Sequence, residues 1–184
     1  MVFASPVLGA VRNFNELPVR PVDRSWTNRS AQAIQRPEGT LSLYNTHSEE
    51  RLEVTYRDSS GNYDFEAIKE MNYFLRCHYT QKVVPMDIRV IEFLNLVHKK
   101  VGGTRDIEVI SGYRSPEYNN LLIREGRGAA KHSLHLLGKA IDFRISGVGL
   151  DRLRQTAMNL ESGGVGYYPE SGFIHLDSGK VRSW

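Results

Sequence analysis

Two short segments in the last third of the chain constrain its fold most strongly. Residues 139–145 and Phe173–Asp177 alternate apolar and polar side chains with the period of two that a β-strand requires. One face of each segment carries only isoleucine, leucine or phenylalanine and must be buried. The opposite faces present Asp142 on the first segment and His175 with Asp177 on the second. The sequence therefore predicts two half-buried strands that display carboxylate and imidazole groups on their other face.

A glycine links a further histidine to this pair. His135 precedes the first strand across Gly138, and a glycine lets the chain turn back so that the imidazole covers the face presenting Asp142. If the two strands are neighbours, His175 completes a His-Asp-His set. Two imidazoles and one carboxylate bind zinc, and three protein ligands with one open position are typical of catalytic zinc. The alternative is that these are ordinary solvated side chains.

The chain from residue 40 onwards mixes further strands and helices. Strands are predicted at 41–44, 52–56, 107–110 and 163–168, and helices at 65–79, 87–101, 116–126 and 150–160. Because the two kinds of element do not alternate regularly, we predict an α+β fold. We expect its sheet to be largely antiparallel, with flanking helices, over residues 40–184.

The first predicted helix shows how the helical assignments are made. Asp64 can accept hydrogen bonds from the first turn as an N-cap. Phe65, Ile68, Leu75 and Tyr79 then recur at three-to-four spacing, which predicts that they share the buried face of the helix.

The first 39 residues differ from the rest. They lack periodicity and contain four prolines, which predicts a leader or an extended linker. The first ten residues are apolar with small residues at their end, like the last part of an export signal, but no positively charged region precedes them. The folded domain is therefore predicted to span residues 40–184.

Composition excludes some classes of function. The chain has 184 residues, with 24 lysines and arginines against 21 acidic residues, an ordinary globular balance that suits acidic polymers as well as many other partners. No block of basic residues with interleaved aromatics supports nucleic-acid binding. No apolar run approaches the roughly 20 residues that cross a bilayer, so we predict no membrane span.

The single cysteine and three of the six histidines are predicted to have no role in the site. Cys77 excludes an internal disulfide, and its apolar surroundings predict a buried, inert thiol. His47, His78 and His98 have no acidic or histidine neighbour at ligand spacing. We interpret them as ordinary surface or packing residues.

Three segments taken together resemble a known family. They are Ser-Gly-Tyr-Arg-Ser at 111–115, the run Ser-x-His-x-x-Gly-x-Ala-x-Asp at 133–142, and the stretch from the glycines at 163–164 to His175. This order is similar to the zinc D-Ala-D-Ala peptidases and murein endopeptidases that share a fold with the sonic hedgehog signalling domain. MepK-type murein endopeptidases, which also end in a run like Val-Arg-Ser-Trp at 181–184, are the most similar. The resemblance covers residues 40–184.

The resemblance implies a function and a set of site residues. It implies a zinc metallopeptidase that hydrolyses the stem-peptide cross-links of bacterial peptidoglycan and is exported to the periplasm. Its zinc ligands would be His135, Asp142 and His175. Arg114 would be a cation of the active site that stabilises the oxyanion. Substrate contacts are expected from Ser133, Tyr113 and Tyr168.

The general base is where the sequence departs from the wider family. Many of these zinc peptidases carry an acidic base three positions before the last histidine, where this chain has Gly172. Asp177 shares the face of His175, so we predict it as the base. Its alternative role is to hydrogen-bond the ring nitrogen that His175 does not use for the metal. His132 is a further catalytic candidate, with a plain exposed histidine as the alternative, and Glu170 is the other nearby carboxylate.

Arg114 also has two possible roles. It follows a predicted strand and precedes a helix that Ser115 caps and Pro116 begins, so its backbone is expected to be well fixed. Beside the catalytic role stands a plain salt bridge to Asp142 or Glu117.

Competing functions follow from these alternatives. Cleavage between cross-linked stems would make the chain an endopeptidase, and release of a terminal D-Ala would make it a D,D-carboxypeptidase. Glycine at the position of the usual base favours a third possibility, a non-catalytic zinc-containing module that binds peptidoglycan. A metal-free structural domain would require all three segment matches to be coincidence. In each case we expect a monomer.

Overall fold

The computed structural model describes residues 38–184 and shows a sheet flanked by helices. The predicted leader at 1–39 lies outside this part except for its last two residues. The strands are β1 (Gly39–Asn45), β2 (Arg51–Arg57), β3 (Ile107–Ser111), β4 (Ala140–Ile145), β5 (Gly164–Tyr168), β6 (Phe173–Asp177) and β7 (Arg182–Ser183). The helices are α1 (Phe65–Phe74), α2 (Ile88–Lys100), α3 (Pro116–Arg124) and α4 (Leu150–Asn159), with one 3₁₀ turn at Leu134–Leu137.

The sheet is mixed, which corrects one prediction and confirms another. Its strand order is β2-β1-β3-β4-β6-β5-β7, and the α+β class is confirmed. The expectation of a largely antiparallel sheet is wrong, because β1 pairs with β3 and β5 pairs with β7 in parallel. Helices α1 and α2 lie in the connection that follows β2, and this long connection returns the chain to β1 in the parallel direction.

The centre of the sheet has the register that the alternation predicts. Strands β4 and β6 are antiparallel neighbours, and Asp142 lies directly opposite His175. Ile141 and Phe143 on one strand, and Ile174 on the other, are fully buried in the hydrophobic core. Because side chains alternate along a strand, this packing directs Asp142 and His175 to the other face.

Helix α1 begins as predicted but ends earlier. Asp64 caps it by accepting hydrogen bonds from the backbone of the first turn. The helix ends at Phe74, whose carbonyl accepts a hydrogen bond from the Asn45 side chain. The carbonyl of the next residue accepts a hydrogen bond from a backbone N–H in the loop between β3 and α3. Phe65 and Tyr79 are 74% and 58% exposed, so the predicted buried face is wrong at both ends. The three buried side chains of the helix are Ala67, Met71 and Phe74.

None of the helices within residues 38–184 combines the length and the apolar character that crossing a bilayer requires. Cys77 is buried, as predicted.

The longest helix of residues 38–184, α2, lies with α4 against the sheet and covers the core side of the central strands.

Gly138 connects the 3₁₀ turn to β4 at a point where a side chain has no room. Its φ is +64°, in the left-handed region that disfavours residues with a Cβ. A Cβ at this position would lie 2.6 Å from the carbonyl oxygen of Pro85. The carbonyl of Gly138 also accepts a hydrogen bond from the Asp87 backbone. The glycine therefore holds the turn that carries His135 against the start of α2.

We predict that Gly138→Ala destabilises the fold more than Gly126→Ala does. Gly126 has a similar φ of +67°, but a Cβ there would meet no atom within 4 Å, so it isolates the conformational penalty of roughly 1–2 kcal/mol. The Gly138 variant adds the clash with Pro85, roughly 1–3 kcal/mol more. Urea unfolding of both variants measures the difference, and equal midpoints would contradict this account of Gly138.

Candidate metal centre

Three buried side chains from different elements converge on one point. His135 comes from the 3₁₀ turn, Asp142 from β4 and His175 from β6. The Oδ1 atom of Asp142 is 2.8 Å from Nδ1 of His175 and 3.2 Å from Nε2 of His135. The two ring nitrogens are 3.1 Å apart. The structure thus brings together all three predicted ligands, and their ligand atoms form a compact triangle.

The outer hydrogen bond of each ring favours one position for its proton. Nδ1 of His135 lies 2.7 Å from the carbonyl oxygen of Gly112, and a carbonyl can only accept. Nε2 of His175 lies 3.2 Å from the Asp177 carboxylate, which also accepts. A neutral ring that donates outwards has its lone pair on the inner nitrogen, where a metal can bind it. Asp142 is an acceptor on the inner side, so a proton or a metal ion can lie between it and each inner nitrogen.

A cation would relieve the repulsion within this triangle. When both rings donate outwards, two nitrogen lone pairs and an ionised oxygen lie 2.8–3.2 Å from one another, and they repel unless positive charge lies between them. The donor set of two imidazoles and a carboxylate fits a divalent transition metal. The residues present therefore fit a metal ion.

The pKa values of Asp142 and His175 show an attraction for positive charge, and that of His135 does not. Burial would raise the pKa of Asp142, but electrostatic attraction and hydrogen bonds from the two histidines outweigh it and hold this pKa below its ordinary value. Burial lowers the pKa of His135 despite the nearby carboxylate, which favours the neutral form that binds a metal. Burial also opposes charge on His175, but its hydrogen bonds to Asp142 and Asp177 outweigh it and raise the pKa. A proton on His175 relieves the repulsion that a metal ion would relieve.

Local structure fixes the approach of His135. Ser133 caps the 3₁₀ turn, and its Oγ accepts a hydrogen bond from the His135 backbone at 3.3 Å. The His135 carbonyl accepts from the backbone N–H of Arg114, which ties the turn to the end of β3. The ring is held at its base by these contacts and at its Nδ1 by Gly112.

Arg114 lies beside the cluster and forms one of the two ion pairs proposed for it. Its Nη2 donates to Oδ2 of Asp142 at 3.2 Å and to Oγ of Ser111 at 3.4 Å. The other proposed partner, Glu117, instead pairs with Lys82. Within residues 38–184 the Nε of Arg114 is buried without a hydrogen-bond partner. The guanidinium is thus fixed by the metal-centre carboxylate beside the cavity that the residue lines.

A cavity of about 680 Å³ opens over the cluster. Its wall includes His132, Ser133 and Tyr168, three of the residues predicted to act on or bind substrate. Tyr113 is not among the lining residues. Tyr113 is 8% exposed and belongs to the hydrophobic core, and the preceding Gly112 packs closely against Leu75. The structure therefore does not bring Tyr113 to the cavity.

Comparison with known proteins identifies the family of the chain. The family model described as peptidoglycan L,D-endopeptidase MepK matches residues 33–184. The chain belongs to the MepK family. It is 38% identical to the peptidoglycan L,D-endopeptidase MepK of Escherichia coli (strain K12), over 78% of this chain and 79% of that protein. It is 41% identical to a protein of Haemophilus influenzae named "Probable peptidoglycan L,D-endopeptidase MepK", over 78% of this chain and 77% of the relative.

In this MepK-family chain, Asp177 is more enclosed than a carboxylate that acts as a general base would be. Its side chain is fully buried and binds Nε2 of His175, the ring nitrogen that faces away from Asp142. Burial would raise its pKa, but hydrogen bonds from His175 and Arg182 outweigh it and hold the pKa below the ordinary range, which makes the carboxylate a poor proton acceptor. The role of general base stays a prediction, and these contacts favour the alternative of orienting His175.

The remaining base candidates differ in access to the cavity. His132 is exposed and lies in the cavity wall. Glu170 is exposed but is absent from the wall, and Gly172 has a φ of +73° in the turn between β5 and β6. Asp177 also borders the cavity, but its side chain has no exposed surface, so His132 is the one of the three candidates that is both exposed and in the wall.

Three further residues of the cavity wall carry no signal in the local sequence. The spacing of His47 and His78 indicates ordinary surface or packing residues, yet their rings stack at 3.8 Å in the cavity wall. Burial, with the charges of His47 and two arginines, lowers the pKa of His78 to about 4. Trp184 also lines the cavity and lies 5.4 Å from the His175 ring. No local spacing joins these residues, so only the resemblance at 181–184 marks any of them.

We predict that Asp177→Asn weakens metal binding. An amide accepts a weaker hydrogen bond from His175 and no longer carries the charge that the ring orientation depends on. Loss of such a partner lowers metal affinity about 10- to 100-fold. Competition with a chromophoric chelator measures the affinity, and Asp151→Asn, an exposed carboxylate bonded to Tyr167, is the control. Unchanged affinity with abolished turnover would instead identify Asp177 as the base.

Proposed function

We propose that residues 40–184 form a zinc-dependent endopeptidase that hydrolyses the peptide cross-links of bacterial peptidoglycan. The observation that carries this proposal is the convergence of two imidazole nitrogens and the Asp142 carboxylate beneath an open cavity, in a chain of the MepK family. Relatives that are 38–41% identical are named as peptidoglycan L,D-endopeptidases. A hedgehog-type arrangement of the fold belongs to the same proposal.

Zinc is the metal that these residues suit best. Structural and catalytic zinc is bound by histidine nitrogens and carboxylate oxygens at about 2.0–2.2 Å. Two such ligands of a tetrahedral ion lie about 3.3 Å apart, close to the 2.8–3.2 Å separations of His135, Asp142 and His175. Three protein ligands also leave a fourth position open, as catalytic sites require.

Each side chain around the cluster has a role in this mechanism. Bound zinc would supply Lewis acidity, polarising the scissile carbonyl and making water nucleophilic at neutral pH. Arg114, held by Asp142 and Ser111 in the cavity wall, would bring positive charge towards the negative charge that develops on the carbonyl oxygen. Asp177 keeps the outer nitrogen of His175 protonated, so that the inner nitrogen stays free for the metal. His132, exposed in the cavity wall, is the candidate that accepts the proton of water.

The cavity suits a stem peptide with free carboxylates. Its wall carries the basic side chains of Arg114, Arg127 and Arg182, which attract acidic groups. Ser133 and Tyr168 provide hydroxyl groups that bind peptide amides. We place this reaction in the periplasm or another exported compartment, where peptidoglycan lies, and we expect a monomer.

The function is tested with purified protein and cross-linked muropeptides. We expect about one zinc per chain by elemental analysis and the loss of dimeric muropeptides containing L,D-cross-links on chromatography. Chelator should stop the loss, and added zinc should restore it. His135→Ala should bind no zinc and cleave no dimer, because the metal loses one of three protein ligands.

The other outcomes separate the competing functions. Release of a terminal D-Ala without loss of dimers would identify a carboxypeptidase. Binding of muropeptides by the zinc-loaded protein, without any cleavage, would identify a non-catalytic module. Full zinc retention in His135→Ala would contradict the ligand assignment.

Arg114 provides a separate test of the catalytic role. We predict that Arg114→Ala lowers kcat about 10²-fold or more, because a donor to the developing oxyanion is lost. Zinc content should be retained, since none of the three ligands changes. Arg124→Ala, an exposed arginine at the end of α3, is the matched control and should keep the rate of the unmodified protein. A rise in KM at unchanged kcat would assign Arg114 to substrate binding instead.

A further inference from the structure

Both terminal nitrogens of the Arg182 guanidinium donate hydrogen bonds to the carboxylate of Asp177, which lies behind the metal centre. Nη2 donates to Oδ2 of Asp177 at 2.7 Å, and Nη1 donates to Oδ1 at 3.1 Å. The Asp177 side chain has no exposed surface, whereas the Arg182 side chain is 45% exposed. A bidentate guanidinium–carboxylate pair fixes orientation as well as charge. The only guanidinium that reaches Asp177 within the described residues therefore approaches from the solvent side.

Asp177 transmits this contact to a metal-centre ligand. Its Oδ2 accepts from Nε2 of His175 at 3.2 Å, and its Oδ1 accepts from the backbone of Gly179 at 2.8 Å. Oδ2 is thus shared between Arg182 and the imidazole. If the carboxylate moved, the hydrogen bond that it accepts from Nε2 would change direction. The ring of His175 would then turn, and its inner nitrogen, Nδ1, would move with it.

Two glycines leave the space that this pair occupies. A Cβ at Gly164 would lie 2.3 Å from Oδ2 of Asp177 and 2.5 Å from Nη1 of Arg182. A Cβ at Gly179 would lie 2.8 Å from Oδ1 of Asp177 and 3.2 Å from Nη1 of Arg182. Side chains at either position would displace the ion pair. The backbone on both sides is therefore shaped around the contact between Arg182 and Asp177.

Strand β7 and Trp184 hold Arg182 in place. The backbone of β7 pairs with β5, and that of Trp184 exchanges hydrogen bonds with Val165 and Tyr167. The Arg182 guanidinium lies 4.7 Å from the centre of the Trp184 ring, within the range of a cation–π contact. The indole N–H donates to the Tyr168 hydroxyl at 2.9 Å. Arg182 is thus fixed by its backbone, by an aromatic face and by its ion pair.

We propose that Arg182 is a positioning residue of the metal centre, which acts through Asp177 to fix the tautomer and orientation of His175. This inference rests on the proposed function for its link to catalysis, but its structural content concerns metal binding alone. A plain surface ion pair would contribute little and would leave the metal centre unchanged. The buried partner, the two-point contact and the shared Oδ2 distinguish Arg182 from such a pair.

Zinc affinity of the purified protein, measured by competition with a chromophoric chelator, tests the proposal. We expect Arg182→Ala to raise the zinc Kd about 10-fold or more, the effect of losing a partner of a metal-binding histidine. Arg182→Lys retains one charged donor but not the two-point contact, so its Kd should lie between that of the unmodified protein and that of Arg182→Ala. Lys180→Ala removes an exposed charge from the same turn and is the matched control, with the Kd of the unmodified protein.

A double-mutant cycle shows whether Arg182 acts through Asp177. In an Asp177→Asn background, Arg182→Ala should add less than about 2-fold to the Kd, because the route to His175 is already broken. Multiplicative effects of the two changes would overturn the proposal. So would an Arg182→Ala variant whose Kd matches that of the Lys180→Ala control.

A metal-free measurement covers the case in which a variant folds poorly or binds no zinc. Nitrogen chemical shifts of the imidazoles, recorded by NMR, report the tautomer of each ring. We expect His175 of the unmodified protein to carry its proton at Nε2, and Arg182→Lys to show a mixture of both tautomers. Unchanged shifts in Arg182→Lys and Arg182→Ala would overturn the proposal.

The outcomes separate this proposal from the proposed function. Muropeptides that stay intact with the unmodified, zinc-loaded protein would contradict the endopeptidase, while the dependence of Kd on Arg182 would still stand. Active protein whose Kd and tautomers are indifferent to Arg182 would contradict the positioning role, while the endopeptidase would stand.

Discussion

The buried carboxylate of Asp142 is the constraint on which the rest of the site depends. A charge at this depth is costly unless donors and countercharges surround it. Here the Arg114 guanidinium does so together with two imidazoles, across which a proton or a metal ion can be shared with the carboxylate, and the three groups come from the loop after β3, from the 3₁₀ turn and from β6. Each of these elements must therefore arrive in register for the carboxylate to be tolerated. The hydrophobic face of β4 supplies that register, since a slip of one residue would turn Asp142 into the apolar core.

The parts of the site that could be predicted are those that depend on local alternation. The period of two along β4 and β6 places Asp142 and His175 on one face, and the glycine at 138 indicates that His135 turns back over it. Comparison with relatives adds the family, which alternation alone does not identify. The sheet order and the parallel pairings depend on long connections whose direction no local pattern encodes.

Other features depend on contacts between distant residues. The end of α1 is set by tertiary hydrogen bonds to the carbonyls of Phe74 and Leu75, which helix periodicity does not register. Alternation places Asp177 on the face of His175 but does not reveal that Arg182 binds it from the other side. The motif around Arg114 contains Tyr113, but that residue is buried in the hydrophobic core, where its backbone N–H donates to the Leu75 carbonyl. In each case the sequence shows the type and spacing of a residue but does not show which distant residue it contacts.

Strand β7 is only two residues long and lies at the edge of the sheet, with both residues exposed. Short edge elements are among the first to fray, because little burial opposes their local opening. Asp142 and His175 themselves lie on central strands, which open far less readily. The orientation of His175 therefore rests partly on the least cooperative element of the sheet. Mild warming or dilute denaturant would loosen the geometry of the centre while the global fold persists, so that the stability of the site and the stability of the protein are separate quantities.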